Sequence, residues 1–247
     1  MSGHSKWKNI MHKKGKNDAA RAKIFTKIGK EIAIAVKEGG PNPTSNSKLR
    51  DLIAKAKENN VPNDNIERSI KKASSADAAD YEVIYYEGYG PSGTAVIVEA
   101  TTDNRNRTGG DVRHYFDKFG GNMGTTGCVS FMFADKGIIL VSKDGISEEQ
   151  IMDSAIEAGA DDVNTEEADF YEITCEANDT EAVRGALEGM GIKISSSEVT
   201  KIPSTMVTLD DEEDVIKMNR LLDAFDDNDD VTNVWHNWDM PEEEDED

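Results

Sequence analysis

The sequence predicts an α+β chain: an N-terminal three-helix domain followed by two ferredoxin-like α/β domains, the last inserted in the middle one. Three observations carry this reading. Apolar residues recur at helical spacing up to about residue 73 and at strand spacing from residue 81 onward. The first strand–strand–helix–strand run lacks its remaining helix and strand until residues 214–237, so residues 135–204 stand inside it. Charge divides at the same place, with a net +10 over residues 1–73 and a net −31 over residues 74–247. The expected parts are a basic helical domain with a flexible arm (1–75), an α/β domain (80–134 plus 205–239), an inserted α/β domain (135–204) and an acidic tail (240–247).

Residues 1–16 have no apolar periodicity, only Lys, His, Ser and Gly around Trp7, and read as the arm. Asn17 or Asp18 can cap the first helix. Its apolar positions Ile24, Phe25, Ile28, Ile32, Ala35 and Val36 fall within an arc of roughly 120°. Lys23, Lys27, Lys30 and Lys37 lie opposite, with Ile34 the one intruder, and Gly39-Gly40-Pro41 ends the helix. A second helix over 47–59 turns Leu49, Leu52, Ile53 and Ala56 to one side. The third follows Val61-Pro62, where Asp64 and Glu67 have capping-box spacing and Ile66, Ile70 and Ala73 face inward.

After a linker at 74–80, strands at 81–88 and 94–100 flank a glycine-rich turn. A helix over 108–119 and strands at 128–133 and 137–142 follow. The inserted part continues with a helix (147–158), a strand (170–176), a helix (180–190) and a strand at 192–197, and a further short strand is expected at 206–208. A helix over 214–225 and a strand at 231–237 close the chain.

The composition narrows function. The chain of 247 residues is 37% apolar and 31% charged, as a folded globular chain is. No apolar run approaches the roughly 20 residues of a membrane span. The basic N-terminus lacks the apolar stretch of a secretory signal, so a cytoplasmic protein with no membrane partner is expected. Cys128 and Cys175 form no Cys-x-x-Cys pair and read as buried small apolar residues.

Catalytic constellations are missing. His4, His12, His114 and His236 are scattered without metal-ligand spacing. The glycine-rich stretches lack the Lys-Ser/Thr ending of a phosphate loop, and there is no Gly-x-Ser-x-Gly. The run Asp226-Asp227-Asn228-Asp229-Asp230 suggests calcium, but an EF-hand frame starting at Asp226 has Val231 at the glycine position and Asn237 at the glutamate position. That run reads as a solvated acidic loop. A non-enzyme with no cofactor and no metal is expected.

The positive signal is the basic head, where the first thirty residues hold nine basic side chains and one acidic. Lys6, Lys8, Lys13, Lys14, Lys16, Arg21, Lys23, Lys27 and Lys30, with His12, suit a phosphate backbone, and Trp7 can stack on an exposed base. Lys13, Lys14, Lys23 and Lys27 are expected to be exposed. No recognition-helix signature accompanies them, so base-specific readout is unsupported. A second candidate surface is the tip Tyr89-Gly90-Pro91-Ser92-Gly93, whose glycines allow positive φ and close backbone approach. Arg105 and Arg107, two apart at a strand-to-helix turn, either grip phosphate beside a helix N-terminus or pair with the acidic body.

Five segments in order resemble the YebC/PmpR family: Gly3-His4-Ser5-Lys6-Trp7, Lys23-Ile24-Phe25-Thr26-Lys27, Pro62-Asn63-Asp64-Asn65-Ile66-Glu67-Arg68, Tyr86-Glu87-Gly88-Tyr89-Gly90-Pro91 and Thr102-Asp103-Asn104-Arg105-Asn106-Arg107-Thr108. The likeness runs from the first residues to about Asp239. It implies a helical N-terminal domain with two α/β domains, and a regulator of gene expression that binds DNA. Other members, including the mitochondrial translational activator of cytochrome c oxidase, imply instead a ribosome-associated factor that binds ribosomal RNA and relieves stalling at proline-rich stretches. The tip here is Gly-Pro-Ser-Gly where the family more commonly has Gly-Pro-Gly-Gly. The expected partner is therefore nucleic acid, DNA or ribosomal RNA, bound by a monomer or weak dimer.

Overall fold

The computed structural model describes residues 18–75 and 78–240, with side chains from Lys23 onward and that of Glu58 excepted. The chain is α+β, with two four-stranded antiparallel sheets. One compact unit holds the helical head and the first sheet, residues 18–130 and 207–238, and the other centres on 131–206.

The head is built from α1 (Asp18–Gly39), α2 (Ser47–Glu58) and α3 (Asn63–Ala73). Ile28, Ile32, Ala35, Val36, Leu49, Ala56, Val61 and Ile66 bury together, as the helical periodicity requires. Buried Asn46 ties two helices. Its side-chain oxygen accepts from the Leu49 amide at 3.0 Å, and its amide nitrogen donates to the Ala35 and Gly40 carbonyls, each at 2.8 Å. The expected capping box on α3 does not form. Pro62, with φ −59°, leads directly into Asn63 without a side-chain cap, and Asp64 lies in the first turn.

The first sheet has the order β3-β1-β2-β8, from β1 (Glu82–Tyr89), β2 (Ala95–Thr102), β3 (Asn122–Met123) and β8 (Val231–His236). Pairing runs from Glu82 with Thr102 to Tyr89 with Ala95, and Val96 opposes His236. Helices α4 (Arg105–Lys118) and α7 (Glu212–Asp227) meet where Phe116 packs edge-on to Phe225 at 5.2 Å. The strand expected at 128–133 does not form: a loop and a 3-10 turn at Ser130–Met132 lead into the next strand, and the sheet position is taken by the short β3 upstream. Glu87 explains it: this buried carboxylate accepts from the amides of Gly127, Val129 and Ser130 at 2.8–2.9 Å, which removes them from any ladder. Burial opposes its charge, but those amides prevail and hold the carboxyl below its ordinary value. Cys128 beside it is half-buried, whereas Cys175 is buried.

The second unit runs β4 (Phe133–Ser142), α5 (Glu148–Ala158), β5 (Asp162–Asn164), β6 (Phe170–Glu176), α6 (Thr180–Gly189) and β7 (Ile194–Pro203), in sheet order β5-β6-β4-β7. This is the βαββαβ connection of a ferredoxin-like domain. Ile139, Val141, Ile151, Tyr171, Ile173, Val183 and Leu187 form its core. The three-residue β5 has no sequence alternation long enough to announce it. The strand expected at 206–208 reduces to a single bridge between Val207 and Trp238. Among the described residues no helix is long and apolar enough to cross a membrane.

Candidate nucleic-acid interface

The basic stripe of α1 is not a free surface. Lys23 Nζ lies 2.6 Å from Asp227 Oδ1, and Lys27 Nζ donates to the Asp226 carbonyl at 2.8 Å with its carboxylate at 3.4 Å. Lys30 Nζ donates to the Asp229 carbonyl at 2.8 Å and to Asp230 Oδ1 at 2.6 Å. Lysines at i, i+4 and i+7 share one helix face, and the turn between α7 and β8 presents acids to all three. The loop expected to be solvated is thus an ion-paired clamp. Lys27, expected to be exposed, keeps only 14% of its side chain accessible.

The clamp is graded. Side-chain exposure falls from 35% at Lys23 to 11% at Lys30, and from 72% at Asp227 to 9% at Asp230. At the outer end the hydrogen bond to Asp227 raises the Lys23 ammonium above its ordinary pKa. At the inner end Asp230 is a hub. Besides Lys30, its carboxylate accepts from Arg107 Nη2 at 2.7 Å and from Thr108 Oγ1 at 2.7 Å. Burial favours the neutral acid there, but the bonds from Lys30, Arg107 and Thr108 outweigh it and hold the carboxyl down at about 2. Lys30 Nζ also stands 5.8 Å from the centre of the Tyr81 ring, within cation–π range.

The two arginines take the intramolecular alternative. Arg107 bonds Asp103 at 3.0 Å as well as Asp230, and Arg105 bonds Glu82 at 3.0 Å. Asn104 fixes the turn that presents them, its side chain accepting from the Arg107 amide at 3.1 Å. Sequence spacing identified the arginines but not the acids that hold them across the fold: Asp103 is four residues from Arg107, but Glu82 and Asp230 lie 23 and 123 residues away.

The hairpin tip is docked. Gly90 and Pro91 are buried, and a Cβ on Gly90 would stand 3.1 Å from Met218 Sδ on α7. Tyr89 donates its hydroxyl to the Cys128 carbonyl at 3.0 Å. Only Ser92 and Gly93 are exposed, with φ +51° and +78°. Ser92 thus occupies the left-handed region that glycine fits without cost, and its hydroxyl donates to Asp214. Lys6, Trp7, Lys8, His12, Lys13, Lys14 and Lys16 lie outside the described residues, and Arg21 lies on the first turns of α1. The residues that sequence reasoning missed are the partners, Asp226, Asp227, Asp230 and Asp214. Their one sequence signal is a run of acid opposite in sign to the head.

Residues 5–76 match the family model described as the TACO1/YebC protein N-terminal domain, and residues 81–238 match that described as the TACO1/YebC second and third domain. A "Probable transcriptional regulatory protein" of Acetivibrio thermocellus is 57% identical over 240 residues, spanning 96% of this chain and 99% of its own. One of the same description from Lachnospira eligens is 56% identical over 248 residues, with both chains covered in full. A crystal structure of a conserved hypothetical protein from Aquifex aeolicus superposes with a TM-score of 0.82 at 44% identity, over 95% of this chain and 97% of that one. With those two models matching residues 5–76 and 81–238, the chain belongs to the TACO1/YebC family.

Proposed function

We propose that this protein is a non-enzymatic regulator of gene expression that binds nucleic acid through its basic head, as a DNA-binding transcriptional regulator. The observation that carries the reading is the charge split, +10 over residues 1–73 against −31 over the rest. The printed descriptions of its relatives as transcriptional regulatory proteins support it. Lys6, Lys8, His12, Lys13, Lys14, Lys16 and Arg21 contact phosphates in this reading, and Trp7 stacks on a base. Lys23, Lys27 and Lys30 join them only by exchanging acidic-loop partners for phosphates. Of the secondary surface Tyr89, Gly90, Pro91, Ser92, Gly93, Arg105 and Arg107, the exposed Ser92 and Gly93 are free to touch a partner, and Arg105 and Arg107 join them only by exchanging carboxylates for phosphates.

One observation favours a second reading, that of a translation factor on ribosomal RNA. The described face of α1 that carries the lysines is turned to the acidic loop rather than offered to a groove, so phosphate contact without base readout is the expected mode. Crosslinking in growing cells, with sequencing of the bound nucleic acid, separates the two. Discrete promoter DNA without ribosomal RNA is the expected result for the first reading. Ribosomal RNA around the peptidyl-transferase centre would replace it with the second, and no enriched nucleic acid would sink both.

A further inference from the structure

The described cations of the head divide into two sets by position. All four lysines of α1 from Lys23 onward hold carboxylates, with Lys37 on Asp80 completing the set. On α2, Lys48 holds Glu38 and Lys55 holds Glu31. Beyond them the pattern stops: Lys57 at the end of α2 and Arg68, Lys71 and Lys72 on α3 are exposed and form no ion pair with any described residue.

The three on α3 make one surface. At 100° per residue, positions 68, 71 and 72 fall within about 100° of one another. The centre of that arc is opposite Ile66, Ile70 and Ala73, which pack into the head core. Ser69, on the flank, also approaches α1, its Oγ lying 3.5 Å from where a Cβ on Gly29 would stand. The basic face therefore points away from both the core and the clamp.

Stability does not account for this face. Lys71 and Lys72 sit in the last turn, where the helix dipole favours cations only weakly at an exposed surface. Arg68 lies one turn earlier and gains little from it. Arg68 stands at i and i+4 with Lys72 and at i and i+3 with Lys71, both repulsive like-charge spacings. Acid was available to relieve them, since the chain has 49 acidic residues for 28 basic ones and Asp64 and Glu67 are on the same helix. Asp64 and Glu67 stand four residues before Arg68 and Lys71, an attractive spacing, but neither closes an ion pair there among the described residues. Three exposed cations without a closed ion pair, kept together in an acid-rich chain, fit a polyanion supplied from outside.

We propose that the outer face of α3, formed by Arg68, Lys71 and Lys72, is a binding surface for the phosphodiester backbone of nucleic acid. It deepens, and rests on, the nucleic-acid reading above. The three side chains span about 6 Å of helix axis and, with their length, reach two to three successive phosphates. No donor fork is held rigid against a base edge, so the contact is independent of sequence.

The test uses the full-length protein with fluorescein-labelled single-stranded RNA and duplex DNA, read by anisotropy between 50 and 300 mM KCl. In Arg68→Gln/Lys71→Gln/Lys72→Gln, affinity should fall at least ~10-fold at 100 mM salt, and the log–log salt slope should shrink by about 2, as expected for two to three lost contacts. A control of equal charge change, Lys48→Gln/Lys118→Gln/Lys193→Gln, should lose less than ~3-fold, because its cations are dispersed. Lys71→Arg/Lys72→Arg keeps the charge and should bind as the parent does, which separates charge from folding. A triple variant that binds like a binding parent overturns the α3 surface while leaving the nucleic-acid reading intact. Equal losses in the control overturn it as well, in favour of net charge. A parent that binds neither polymer overturns both.

Discussion

Two basic faces on one small bundle meet opposite fates. The α1 face, richest in lysine by sequence, is closed by the turn between α7 and β8, while the smaller α3 face pairs with none of the described residues. The difference teaches that a count of cations does not measure their availability. Lys23, Lys27 and Lys30 meet acids about 200 residues away, and only the fold could bring those acids to them. What α1 contributes in this structure is attachment of the head to the first sheet, with Asp230 the innermost point.

The sharpest way to break the comparison is Asp230→Ala. It leaves Lys30, Arg107 and Thr108 without their common acceptor, and Lys30 is nearly as buried as the aspartate. Removing one partner of a buried pair costs about 3–5 kcal/mol. Urea denaturation should show a loss of about 4 kcal/mol, and an unchanged midpoint would reduce the hub to a surface contact.

Acid should weaken the fold in two stages, the second of them at the docked face. Burial pushes His236 down to about 4, against 6.5 unfolded. The folded protein thus binds fewer protons than the unfolded chain between those values, and stability present above 6.5 falls as pH drops toward 4, by about 3 kcal/mol at ~1.4 per unit. Asp230 acts in the next window. Its unfolded carboxyl takes a proton near 3.8 and the folded one near 2, so the clamp's contribution is complete above 3.8 and is lost on the way down to 2. Thermal melts across pH 2–7 should resolve both slopes. His236→Gln should abolish the upper one alone, and persistence of that slope would assign it elsewhere.

Much of the architecture was legible because it rests on periodicity. The core of the head follows the 3.6-residue apolar pattern, and β6 coincides with the run predicted at 170–176. The errors have local causes. Glu87 draws three amides out of the strand expected at 128–133, and Pro62 starts α3 without help from Asp64. The candidate site was harder to read. Its cations were evident one by one, but pairing across 123 to 204 residues has no period and no spacing. Arg68, Lys71 and Lys72 were passed over because no glycine, aromatic or charge excess marked them, and their significance lies in what they do not touch.

The outer pairs of the clamp should matter less than the hub. Lys23→Ala and Lys27→Ala each remove a lysine whose acid is largely exposed, and solvent-exposed pairs contribute about 0.2–1 kcal/mol. Urea midpoints should therefore give losses below ~1 kcal/mol apiece, falling further in 0.5 M salt as the charges are screened. Losses comparable to that of Asp230→Ala would make the clamp a single cooperative unit rather than a graded one.

The smallest expected effect separates the two faces most cleanly. Arg68, Lys71 and Lys72 are exposed and form no ion pair with a described residue, so no described contact is lost when they become Gln. Removing the i,i+3 and i,i+4 repulsions gains a few tenths of a kcal/mol, and losing the dipole at the last turn and the i,i+4 attraction to Asp64 and Glu67 gives a similar amount back. The triple variant should melt within ~0.5 kcal/mol of the parent at neutral pH. If it is destabilised by more than 1 kcal/mol, those side chains serve the fold, and the contrast between a docked α1 face and an open α3 face disappears. If it is neutral in stability yet impaired in nucleic-acid binding, the α3 face is retained for its partner alone, because the fold gains nothing from three cations held side by side.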